Sequence, residues 1–160
     1  MGEPDIDTPA LRALAELGVE HRVVVTRPAG SAEESAELQG IRLTSLLRTL
    51  VVRRGQDDFL FVLVPGGRRF DWPLLRAHLG VKRLSMPDAD EARAVTGYER
   101  GAITPLGSIR PWPVIVDASA LEAESVGIGG GARGVNVHLS PSSLVEALDA
   151  EVVEVSVSEG

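Results

Sequence analysis

Six apolar residues in a row, Phe59-Leu60-Phe61-Val62-Leu63-Val64, constrain this chain more than any other stretch. They follow Leu46-Leu47-Arg48-Thr49-Leu50-Val51-Val52-Arg53-Arg54 across the polar connection Gly55-Gln56-Asp57-Asp58, and two such runs around a short polar link predict a β-hairpin. Strand side chains alternate between faces, so an unbroken apolar run leaves no face for water. The sheet must therefore be covered on both sides, which calls for helices. Within the first strand Arg48 stands among apolar neighbours, and residue type alone assigns it to a solvent-facing position.

The remaining segments supply those helices. Thr8-Pro9, Ser31 with Glu34 three residues on, Asp71-Trp72-Pro73, Pro87-Asp88 with Glu91, and Ser140-Pro141 are helix starts, each with a capping oxygen or a proline in the first turn. Gly18, Gly40 and Gly80 read as stops. Further strands are expected at Val19–Val25, Val81–Met86, Pro113–Asp117, Ser125–Ile128, Gly134–Leu139 and Val152–Val157, with a short helix over Ala118–Glu124. The elements interleave irregularly, and no repeat, linker or low-complexity segment interrupts them. This predicts one compact α/β domain with a mixed sheet over residues 9–157, with tails at 1–8 and 158–160.

Composition narrows the function classes. At 160 residues the chain can bury a core without staples, and with 4% aromatic residues that core is aliphatic. No cysteine is present, which removes disulfides, thiolate nucleophiles and the common zinc sites. No apolar run is long enough to span a bilayer, and the acidic start is unlike a secretory signal, so a cytoplasmic protein is expected. The net charge of −7 argues against a broad grip on nucleic acid. A local basic patch remains open, since Arg48, Arg53, Arg54, Arg68, Arg69, Arg76, Lys82 and Arg83 are half of the sixteen basic residues and fall in the central third.

One stretch fits neither helix nor strand. Thr96-Gly97-Tyr98-Glu99-Arg100-Gly101-Ala102-Ile103-Thr104-Pro105-Leu106-Gly107 combines three glycines with a proline that restrains Thr104. It reads either as a surface turn or as a shaped loop aiming main-chain N–H groups at a carbonyl or oxyanion. Gly129-Gly130-Gly131 is a second such place, with a hairpin turn as the alternative. His21, His78 and His138 have no acidic residue at ligand or triad spacing, so surface or core roles are expected. Asp88, Asp90 and Glu91 read as a helix start. The nucleophile elbow and the phosphate loop are absent from the sequence. No metal and no cofactor are expected.

Taken together and in order, Leu46–Val52, Val64-Pro65-Gly66 with Asp71, Thr96-Gly97-Tyr98 leading into Gly101–Gly107, Asp117, and Gly130-Gly131-Ala132-Arg133-Gly134 resemble the YbaK-like family. That family comprises free-standing aminoacyl-tRNA deacylases and the editing domain of bacterial prolyl-tRNA synthetases, and the resemblance runs from about Leu11 to Val155. It implies a mixed, mostly antiparallel sheet or partly closed barrel surrounded by helices. It also implies a trans-editing hydrolase that cleaves a wrong, small amino acid from the acceptor end of a tRNA, with tRNA-Pro the expected carrier. Prolyl-tRNA synthetase is an implied partner, and a monomer or weak homodimer the implied state.

By the same resemblance Arg48, Gly101 and Thr104 carry catalysis, while Thr49, Ala102, Ile103, Pro105, Asp117, Gly129, Gly130 and Gly131 bind substrate. The sequence departs from the family pattern where Arg48 replaces lysine, Ala102 a frequent glycine, Thr104 the common serine, and Arg27-Pro28-Ala29 a Tyr/His/Asp-type segment. Arginine keeps the charge but cannot become a neutral amine. The alternative implied by that change is an impaired module that binds tRNA or a synthetase without chemistry.

Overall fold

The computed structural model describes residues 6–159. The tail expected at 1–8 falls mainly on residues outside that range, as does the last residue of the tail expected at 158–160. Five helices, α1 (Pro9–Leu17), α2 (Ala32–Gln39), α3 (Trp72–Leu79), α4 (Ala89–Thr96) and α5 (Pro141–Leu148), each begin on a side-chain cap, supplied by Thr8, Ser31, Asp71, Asp88 and Ser140. Each cap oxygen accepts an N–H that the first helical turn would leave unpaired.

Among the described residues nine strands form three sheets. β1 (Arg22–Val25), β7 (Val135–Leu139) and β6 (Val126–Gly129) form an antiparallel sheet in the order β1-β7-β6. β2 (Leu47–Gly55), β3 (Asp58–Pro65), β5 (Val114–Asp117) and β8 (Glu151–Val153) form a mixed sheet in that order. Within it β2 runs antiparallel to β3, whereas β3–β5 and β5–β8 are parallel. β4 (Arg68–Phe70) and β9 (Ser156–Ser158) make a small antiparallel pair. A single parallel bridge, Leu46 to Gly127, joins the first two sheets at the start of β2. The result is a mixed, mostly antiparallel α/β domain, and the sheets do not close into a barrel.

β3 is dry on both faces, as its sequence requires. Phe59, Phe61 and Leu63 join Leu47, Val51, Leu14, Tyr98, Leu106, Ile128, Val137 and Leu144 in one core, while Leu60, Val62 and Val64 join Val52, Leu75, Ile115 and Val155 in another. Helices α1 and α5 cover the first face and α3 the second.

Two strand expectations are corrected and one strand is added. Val81–Met86 forms no strand: only Ser85 bonds to β2, exchanging both main-chain hydrogen bonds with Arg53, while Lys82 and Arg83 stay exposed. Val152–Val157 divides into β8 and β9, because the Val155 N–H donates to the Asp117 carboxylate at 2.8 Å and the chain turns there. β4 went unpredicted, since three residues containing two arginines carry no apolar periodicity. The expected helix over Ala118–Glu124 is a 3-10 turn over Ala118–Glu122.

The long loop is fastened to this frame at Gly107, where φ is +67° and an added Cβ would lie 2.4 Å from the Pro9 carbonyl oxygen. Backbone against backbone has no rotamer to relieve it. Gly107→Ala should therefore destabilise the fold by more than about 1 kcal/mol, read as a lower urea midpoint with unchanged slope.

Candidate functional site

Strand register places the site residues. Paired residues in neighbouring strands point to the same face, and residues two apart along a strand do likewise. The Leu46–Gly127 bridge and the Gly127–His138 pair therefore set Arg48, Gly127, Gly129, Asn136 and His138 on one face. The ideal Cβ direction of Gly129 on that face ends 3.5 Å from the Ile103 oxygen and 3.9 Å from the Thr104 Cβ. The loop thus crosses over Gly129 on the side from which Arg48 projects. Thr49 pairs with Leu63 and faces the opposite core.

Arg48 is half-buried rather than solvent-facing. Its Nη2 donates to the Arg68 carbonyl at 2.6 Å, and its buried Nε has no hydrogen-bond acceptor among the described residues. Arg68 in turn donates from Nε to Ser156 Oγ at 2.7 Å and from Nη2 to the Ser156 carbonyl at 3.2 Å. Its Nε also lies 3.7 Å from Asp117 Oδ2.

The loop is stiff. Tyr98 donates its hydroxyl to the Leu106 carbonyl at 2.6 Å, Ile109 N–H bonds to Thr96 O at 3.1 Å, and Trp112 Nε1 donates to Val95 O at 2.7 Å. Burial pushes the Tyr98 phenol up to about 12, only partly opposed by Arg12 and a main-chain hydrogen bond, so it remains a donor. Ala102 N–H is consumed inside the loop by Glu99 O at 2.9 Å, and the fully buried Thr104 hydroxyl accepts from Leu106 N–H at 3.3 Å. Gly101 and Ile103 donate their N–H groups to no acceptor among the described residues. Gly101 takes φ +91°, and its ideal Cβ would sit 3.1 Å from Nε of Arg133, which donates through Nη2 to Arg100 O. Pro105 is buried at the foot of the loop.

The three consecutive glycines divide their tasks. Gly129 lies under the loop. Gly130 donates its N–H to Val135 O at 2.8 Å and accepts the Thr8 hydroxyl at 2.6 Å, so both of its main-chain groups are engaged. Gly131, at φ +93°, packs against Thr8 and Tyr98.

Asp117 is 1% exposed and faces its own neighbours rather than the loop. One oxygen accepts Val155 N–H, and the other accepts the N–H and the hydroxyl of Ser119. Burial pushes its pKa up, but the hydrogen bonds from Ser119, Val155 and Ser156 together outweigh this and hold the carboxyl below its ordinary value.

Sequence reasoning missed Arg68, Ser156 and Ser119, which lie far apart along the chain in no motif spacing. It also missed the acid beside His78, because Glu151 is brought to 3.1 Å of its Nε2 by the fold alone. His138 meets Gln39 at 2.9 Å, and burial first, then the Arg22 charge, hold its pKa below the ordinary histidine value.

A cleft of about 510 Å³ lies behind the loop, walled by Leu17, Leu106, Trp112 and Leu148 and bearing Asp149 and Glu151. Its two carboxylates suit it poorly to a phosphate-bearing ligand. Arg48 and Gly129 are not among its lining residues.

Residues 26–147, most of the chain, match the model of the aminoacyl-tRNA editing domain. The chain belongs to that family. A candidate Cys-tRNA(Pro)/Cys-tRNA(Cys) deacylase, EbsC, of Enterococcus faecalis is 26% identical over 129 residues, covering 81% of this chain and 79% of that protein. A proline–tRNA ligase of Thermosipho melanesiensis is 27% identical over 130 residues, covering 79% of this chain but 23% of the ligase. The crystal structure of a candidate trans-editing enzyme for prolyl-tRNA synthetase superposes with a TM-score of 0.82 at 25% identity, covering 98% of this chain and 100% of that one. Among the described residues no helix is long and apolar enough to cross a membrane.

The Asp117 environment has a measurable consequence. A carboxyl whose folded pKa is depressed contributes stability that is complete above its unfolded pKa and is lost as pH falls through the folded one. The stability gap between wild type and Asp117→Asn should therefore be widest near neutral pH and shrink on acidification, as urea unfolding from about pH 7 down to about pH 3 would record.

Proposed function

We propose that this protein is a trans-editing deacylase that hydrolyses the ester of a mischarged tRNA, with tRNA-Pro carrying a wrong small amino acid as substrate. The observation that carries the reading is the pair of unengaged N–H groups at Gly101 and Ile103, in a clamped loop on the same face as the Arg48 cation. In the reaction a water attacks the ester carbonyl and its oxygen becomes an oxyanion. Collapse then breaks the acyl–oxygen bond, one proton of the attacking water passes to the terminal ribose oxygen and the other to solvent, and the amino acid leaves as its carboxylate. The loop N–H groups donate to the developing oxyanion, a role main-chain amides fill without reorganising. Arg48 holds a phosphate or ribose oxygen of the terminal adenosine. Thr104 serves through its bond to Leu106 N–H, which shapes the loop, and Pro105 stiffens it.

A second reading, a module that binds an acceptor end without hydrolysis, is favoured by the identity of Arg48, which cannot supply a neutral amine. Release of radiolabelled amino acid from tRNA-Pro charged with alanine, cysteine or proline separates the two. Hydrolysis above the buffer rate is expected for at least one wrong amino acid, and Arg48→Ala should lower it about 10–100-fold. No release from any of the three defeats the deacylase reading. Activity that appears only in Arg48→Lys establishes the binding module.

With a net charge of −7, contact with tRNA is confined to the acceptor end or shared with a synthetase. The log–log salt slope of binding should then stay below about 3 in magnitude. A steeper slope would require many neutralised phosphates and would contradict a small contact.

A further inference from the structure

Arg48 does not hold its own position. Its Nε–H is buried with no acceptor among the described residues, and an unpaired buried donor disfavours the arrangement that holds it there. A flexible arginine without other contacts would turn that donor to water. The 2.6 Å bond from Nη2 to the Arg68 carbonyl opposes the turn.

That carbonyl is itself secured from two directions. Arg68 begins β4, which pairs with β9 in the register Arg68–Ser158, Arg69–Val157 and Phe70–Ser156. The Arg68 side chain then crosses to β9, where it grips both the hydroxyl and the carbonyl of Ser156 and lies 3.7 Å from Asp117. Ser156 is fully buried and Asp117 nearly so, which makes this anchor rigid. An arginine suits the arrangement, because its planar fork can give one Nη to a fixed acceptor and keep the other for a ligand, whereas lysine has one nitrogen for both.

We infer that Arg68 is a positioning residue for Arg48: its guanidinium, anchored on Ser156 and Asp117, fixes the carbonyl that holds the Arg48 fork on the face it shares with Gly129. The inference rests on the deacylase reading for its catalytic consequence, but not for its structural content. Misaiming leaves the charge of Arg48 in place, so kcat should fall while KM for the tRNA changes little.

The test pairs side-chain nitrogen NMR with kinetics. The Arg48 Nε–H resonance, assigned by its disappearance in Arg48→Lys, should shift and exchange with water about tenfold faster in Arg68→Met. In the same variant kcat should drop about tenfold with KM within about twofold, and Arg68→Lys, which can still reach Ser156 Oγ, should recover part of both effects. In an Arg48→Lys background, Arg68→Met should add less than about a further twofold, because the two residues act as one unit.

An unchanged Arg48 resonance in folded Arg68→Met overturns the inference, as do fully additive losses. Should the wild type release no amino acid, the deacylase reading falls alone and the NMR result still decides for or against positioning. If Arg68→Met fails to fold, Ser156→Ala replaces it with a smaller shift of the same kind expected, and no shift there is equally fatal.

Discussion

A main-chain bridge between Leu46 and Gly127 joins two sheets that share one core, and the site depends on it. Parallel pairing at that point sets the start of β2 in step with β6. Arg48, far from the glycines in sequence, thereby comes to share a face with Gly129 and the crossing loop. Because side chains alternate, a slip of one residue in this register would turn Arg48 toward the core of Leu47 and Val51 and leave the loop facing Thr49. Few contacts are needed to prevent it. Leu47 and Val51 on one side and Val52 on the other are each buried where they stand, so the slip would force Arg48 into an apolar layer.

The polar arrangement around Asp117, at the same end of the mixed sheet, works by a different rule. Asp117 is buried with its oxygens occupied, and it acts by ending β8, turning the chain into β9 and helping to steady Arg68. Replacing a partner in such a set strands the remaining donors, so its members are expected to resist change more than their distance from the loop suggests. The site is thus supported from two directions, by strand register from β6 and by a buried carboxylate beneath β9.

Local chemistry made much of the fold legible. Helix starts at Thr8, Ser31, Asp71, Asp88 and Ser140 carry their capping oxygens in the sequence, and the β2–β3 hairpin carries its own burial pattern. What escaped were elements whose reason lies elsewhere in space. β4 is a strand because β9 lies beside it, and β9 separates from β8 because Asp117 claims one N–H. The same limit applies to the site. Loop and glycine positions could be read from composition, but the engagement of Gly130 by Thr8 and Val135, the facing of Thr49 into a core, and the link from Arg48 to Arg68 are products of the folded arrangement.

The unengaged N–H groups at Gly101 and Ile103 belong to the main chain, and that shapes how such a site can change over time. A point mutation can delete a histidine, a serine or a carboxylate, but apart from proline no residue type lacks the peptide donor. The set of free donors is therefore encoded by loop shape, through Tyr98, Gly107 and Thr104, rather than by the identity of the residues that carry the donors. Residue identities along such a loop can therefore drift while the donors persist, provided the loop keeps its shape. The contrasting dependence is on the Arg48 side chain, whose guanidinium a single substitution can remove.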